Sequence, residues 1–172
     1  MKKFLMLLMI FLLLFSSVGC SVDDSQNYLR IHIRANSNSQ SDQQIKQKVK
    51  DEIVSFLTPI LSVAKDKNQA ATVVLSNIDE ICKIADNVLS ENGFDYLSSA
   101  EIKKEKFPTR KYGDLVLYDG EYDALIINLG EGVGDNWWCV VYPPLCFVGG
   151  EYSQGEKVVY KSRLEEFLDW LL

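Results

Sequence analysis

Apolar periodicity changes partway along this chain, and the change limits the folds open to it. Tyr28–Arg34 alternates, with Leu29, Ile31 and Ile33 on one side and Arg30, His32 and Arg34 on the other, the pattern of a half-buried strand. Ile45, Val49, Ile53, Phe56, Leu57 and Ile60 then recur at helical spacing, with Lys46, Lys48, Lys50, Asp51 and Glu52 covering the opposite side. Ser41 is the expected N-cap, with Gln44 reaching back, and Pro59 lies near the helix end. A polar link at 65–68 leads to a second helix of roughly twenty residues, on which Val74, Ile78, Ile81, Cys82, Ala85, Val88 and Leu89 form the apolar stripe and Gly93 is the stop.

Beyond Gly93 the helical period gives way to short apolar runs cut by turn residues. Phe94 to Lys104 reads as extended, 107–114 as a loop and Leu115–Tyr118 as a short strand. Asp119-Gly120 predicts a type I′ hairpin with positive φ at the glycine, and Glu121–Leu129 is its return strand. Gly130–Asp135 is a further turn, followed by a strand over Trp137–Tyr142. A final helix is expected over 156–172, with Leu164, Phe167, Leu168 and Leu171 as its face. The order indicates a single α+β domain over 28–172: an antiparallel sheet of meanders and hairpins, with two consecutive helices and a C-terminal helix packed on it.

The N-terminus reads differently. Lys2 and Lys3 precede an unbroken apolar run, Phe4–Phe15, too short for the ~20 residues that span a bilayer. Residues 1–20 are therefore expected to be a secretory signal, and 21–27 a flexible tether. The small residues before Cys20 resemble a lipobox, with Ser17 where leucine is usual, which makes Cys20 a candidate lipidation site. Cleavage near Gly19 with Cys20 left unmodified is the alternative.

A net charge of −6 without a basic stripe argues against nucleic acid as a partner, and the membrane is expected to be reached only through the leader or a lipid on Cys20. The glycine-rich turn 130–134 joins two strands rather than opening a helix, so it lacks the context of a phosphate-binding loop. His32 is the one histidine, and no Cys-x-x-Cys is present, so neither metal nor cofactor is expected. A thiol or hydrolytic enzyme would have to be centred on Cys139 and His32, neither of which lies in a nucleophile motif.

Asn136–Val148 holds two of the three tryptophans, two of the four cysteines and two of the four prolines. Trp137–Tyr142 is mostly apolar and reads as a core strand buried on both faces. Pro143-Pro144 ends it and turns the chain, bringing Cys146 back towards Cys139. In an exported protein these two thiols could pair, a bond worth roughly 2–3 kcal/mol for so short a loop. Two separately buried thiols are the competing reading. Phe107-Pro108-Thr109-Arg110-Lys111-Tyr112-Gly113 combines proline, a basic pair and aromatic residues in an acidic chain. It is expected to be a partner-contact loop through Phe107, Pro108, Thr109, Arg110 and Tyr112, together with Pro143 and Pro144.

Four blocks resemble stage II sporulation protein R, a family of secreted signalling proteins of endospore-forming bacteria. They are Leu29–Ser37, with His32 and Asn36; Phe107–Gly113, ending on Gly113; Gly120–Leu125; and Gly130–Gly132 continuing through Asn136–Phe147, with Trp137 and Trp138. The resemblance implies export from the forespore into the space between the forespore and mother-cell membranes. It implies a partner there, a membrane-embedded aspartic-type protease that processes the sigma-E precursor. It also implies an activating ligand rather than an enzyme.

Overall fold

The computed structural model describes residues 24–113, 115–145 and 156–157. Asp24–Asn27 forms a 3₁₀ turn, so the expected tether is ordered by its last four residues. Strand β1 follows over Leu29–Arg34, and helix α1 over Gln40–Leu61. The cap lies two residues before the expected one: Ser39 Oγ accepts from the backbone of Asp42, and Ser41 falls within the first turn. Pro59 is tolerated in the last turn of α1.

The expected second helix is two. Helix α2 runs Lys67–Ser76 from an Asp66 cap, and α3 runs Ile78–Glu91. They break at Asn77, whose φ of −116° leaves the helical region while its side-chain amide donates to Val73 O. Helix α3 ends as expected at Gly93, in the left-handed region at φ +82°, with Phe94 N bonding Leu89 O and Gly93 N bonding Ser90 O. That pair of bonds is the Schellman arrangement, which satisfies carbonyls the helix end would leave open.

The main sheet has the order β2-β5-β1-β6, with β2 at Ser98–Phe107, β5 at Gly120–Leu129 and β6 at Asn136–Tyr142. The β2–β5 and β1–β6 pairings are antiparallel, but β1 runs parallel to β5, because the chain passes through all three helices and β2 before returning beside it. A smaller antiparallel sheet, order β4-β3-β7, joins β3 (Arg110–Tyr112), β4 (Leu115–Leu117) and β7 (Glu156–Lys157). Three expectations are corrected here. Residues 110–112 are strand rather than loop. Asp119-Gly120 links β4 to β5 across two sheets instead of closing a hairpin, and the positive φ (+59°) belongs to Gly113, at the β3–β4 turn. Glu156 and Lys157, expected to open the last helix, are strand; the rest of that helix lies outside the described residues.

Lys67 on α2 reaches Asp123, and the Lys50 ammonium of α1 lies 5.9 Å from the centre of the Trp137 ring. These contacts identify the helix-covered face, which carries Leu29, Ile31, Ile33, Leu125, Ile127, Cys139 and Val141, all buried. Strand β6 is thus core, as its composition indicates. Strand β1 is not half-buried: Arg30 and His32, on the opposite face, are buried too.

The turn 130–135 packs against the β1–α1 connection. Asn36 Oδ1 accepts from Glu131 N at 3.0 Å, Ala35 O accepts from Gly134 N at 2.8 Å, and Lys46 Nζ donates to Asp135 O at 2.8 Å. Lys46, expected on the solvent side of α1, is buried by this role. Asp42 sits beside it and accepts from Ser37, Asn36 and Tyr96. Burial alone would raise its pKa, but these hydrogen bonds prevail and hold it below the usual carboxylate value. The glycines here serve close packing, in line with the turn reading of this segment.

Candidate functional site

All four of the sequence blocks that carry the resemblance contribute to the sheet face away from the helices. Arg30 and His32 stand opposite Ala124 and Ile126 on β5, which in turn face Lys103 and Glu101 on β2. Yet the Arg30 guanidinium stacks on Phe107 and the His32 ring bonds Glu105, each four residues farther along β2 than its rung partner. The far end of the β2–β5 hairpin therefore curls over this face, and β3 adds Tyr112 from the smaller sheet.

The Arg30 guanidinium is fully buried. Its carbon lies 4.1 Å from the centre of the Phe107 ring, 4.9 Å from Tyr122 and 5.8 Å from Tyr112, and its Nη2 donates to the Tyr112 hydroxyl at 2.7 Å. Desolvated cation–π contacts of this kind are worth about 2 kcal/mol or more, against a desolvation cost of several kcal/mol for an unpaired ion. In keeping with this, burial lowers the Arg30 pKa, and Tyr112 and Tyr122 only partly counter it. Burial likewise raises the Tyr112 hydroxyl, with Arg30 opposing.

Beside this cage His32 Nδ1 and Arg34 Nη2 share one oxygen of Glu105, at 2.8 and 2.5 Å. A bond to a carboxylate places the proton of a neutral ring on Nδ1. Burial lowers the His32 pKa; Asn136 and Glu105 favour the charged form, though Asn136 does not close a hydrogen bond to Nε2. The His32 ring lies 5.3 Å from Trp138, and the guanidinium of Arg110 lies over that tryptophan at 4.3 Å. Glu105 thus pairs with Arg34, while Arg30 and Arg110 reach no carboxylate among the described residues.

The expected site residues separate by burial. Phe107, Thr109 and Tyr112 are buried, so as side chains they organise the face rather than meet a partner. Arg110 and Pro108 are half-buried and Lys111 is exposed, so these form the surface that the segment offers. Pro143 and Pro144 make a turn just beyond β6, with no hydrogen bond or ring contact to the cluster among the described residues. Trp137 faces the helices and Trp138 the cluster. Asn36 belongs to the packed turn at the sheet's end.

The Cys139–His32 dyad fails on geometry. Cys139 pairs in register with Ile31, on the helix face, while His32 projects from the other side of the same sheet. Cys139 is also disulfide-bonded, and Cys82 is free. Cys20 and Cys146 lie outside the described residues. No group of three or more His, Cys, Asp or Glu residues among the described residues could hold a metal ion. Alternation alone places Arg30 on the solvent side and gives no weight to Glu105 or Tyr122. The alternating basic residues of β1 are the visible signal, but the curl that encloses them depends on distant pairing.

A sequence model of stage II sporulation protein R matches residues 25–152, most of the chain. Stage II sporulation protein R of Bacillus subtilis (strain 168) is 40% identical over 107 residues, which cover 62% of this chain and 45% of that protein. The chain thus matches less than half the length of this curated relative. No solved structure matches. The matched region contains every described strand of the main sheet and the whole aromatic–basic cluster, and the chain belongs to the stage II sporulation protein R family.

Proposed function

We propose that the chain is an exported sporulation signal. It is made in the forespore, directed outward by residues 1–20, and acts between the forespore and mother-cell membranes. There it activates the membrane-embedded aspartic-type protease that processes the sigma-E precursor. Cys20, if lipidated, restricts the signal to the membrane that made it, so that it acts across a narrow gap.

Membership of the family ties the chain to sporulation. One observation carries the finer reading: blocks scattered along the chain meet on one basic, aromatic face of an otherwise acidic protein of net charge −6. A face of this composition suits recognition, since arginine and aromatic residues dominate the centres of protein interfaces. Its partly exposed side chains are Arg34, Arg110 and Trp138. In an endospore-forming strain, deleting the gene for the chain is expected to leave the sigma-E precursor unprocessed. Normal processing in the deletion strain would refute the proposal.

A further inference from the structure

All four buried side-chain atoms without a hydrogen-bond partner among the described residues belong to one cluster: Arg30 Nε and Nη1, His32 Nε2 and Glu105 Oε2. Elsewhere the buried polar groups are matched: Asp42 accepts three side-chain bonds, and Lys46 donates two. Folded proteins rarely leave such atoms open, and a concentration of them marks a place where a partner is missing. Arg30 is the sharpest case. It is fully buried, its charge meets aromatic faces and a neutral hydroxyl, and two of its nitrogens point at nothing that can accept.

The geometry points to a carboxylate-receiving site at Arg30, filled by an aspartate or glutamate side chain of the protein that this face binds. A guanidinium already oriented by Phe107 and Tyr112 loses little ordering entropy on accepting a carboxylate, and both open nitrogens are donors. Charge favours the same occupant. Arg34 and Arg110 flank the cluster, with Glu105 already committed to His32 and Arg34. Arg30 is enclosed in the free chain and Tyr112 is the side chain that β3 lays over it, so a carboxylate reaches it only when β3 moves aside. The inference rests on the signalling role proposed above and names the contact that role uses.

The test is nuclear magnetic resonance of the ¹⁵N-labelled full chain, following the Arg30 Nε–H signal while the extracytoplasmic part of the protease is added. Binding is expected to move that signal. Replacing one particular Asp or Glu of the protease segment by its amide is expected to abolish the shift and weaken the Kd by roughly tenfold or more, the loss of a charge-assisted hydrogen bond. Arg30→Gln should weaken binding similarly; if that variant does not fold, the wild-type signal still decides. Binding with the Arg30 signal unmoved, or a shift that survives every carboxylate-to-amide change, overturns the site and leaves the signalling role standing. No binding at all overturns both. A full shift with propionate alone at matched concentration overturns the commitment to a protein side chain.

Discussion

Replacing Gly134 by alanine tests whether the glycine-rich turn is a packing device. A Cβ there would sit 2.5 Å from the carbonyl carbon of Ser37, closer still to its oxygen, and 3.0 Å from Ala35 Cβ. The first two are backbone atoms and cannot rotate away, so the turn has to move. Movement strains the Gly134 N–H bond to Ala35 O and the neighbouring bond from Asp135 N to Asn38 Oδ1. Overpacking of this kind costs about 1–3 kcal/mol and a weakened backbone hydrogen bond about 1 kcal/mol more. Gly134→Ala is therefore expected to destabilise by about 2–4 kcal/mol, a fall in Tm of roughly 5–15 °C for a chain of this size. Gly120→Ala is the control: its nearest neighbour would be Tyr122 Cε2 at an ordinary 3.7 Å, and its φ lies outside the left-handed region. That change should stay within about 1 kcal/mol of neutral. Urea unfolding followed by tryptophan fluorescence measures both. A Gly134→Ala penalty below about 0.5 kcal/mol, or no larger than that of Gly120→Ala, would refute the reasoning.

Two further outcomes are expected. Because hydrogen bonds hold the Asp42 pKa below its unfolded value, its contribution is present above about pH 4 and lost as pH falls through the folded value. Asp42→Asn should cost about 1–3 kcal/mol at neutral pH and flatten the acid loss below about pH 4, read from urea midpoints across that range; an unchanged acid limb would contradict this. Peptide mapping of the non-reduced chain should recover Cys139 joined to Cys146 with Cys82 free; a free thiol at Cys146 would reject that pairing.

What could be read from the sequence was local. The alternation in β1, the stripe of α1 and the Gly93 stop each depend on neighbours within a turn or two, and each stands in the fold. The break at Asn77 was hidden because Val74, Ile78 and Ile81 keep helical phase across it, while the interruption is a side-chain bond to Val73 O. The parallel β1–β5 pairing and the curl of β2 over Arg30 depend on contacts more than seventy residues apart, which no local pattern encodes. Asp119-Gly120 carried the right turn residues, but β4 found its partner in β3. The segment expected to be a contact loop is partly strand, and Phe107, Thr109 and Tyr112 within it are buried. Tyr112 is core, so Tyr112→Ala would unfold as readily as it disconnects a partner, whereas Arg110 can be reversed in charge without opening the core.

Arg110 therefore provides the most direct test. In the deletion strain, resupplying the wild-type chain should restore processing of the sigma-E precursor. Arg110→Glu, exported to the same level and with an unchanged unfolding midpoint, should leave most of the precursor uncleaved. Full processing with Arg110→Glu would contradict the claim that this face delivers the signal.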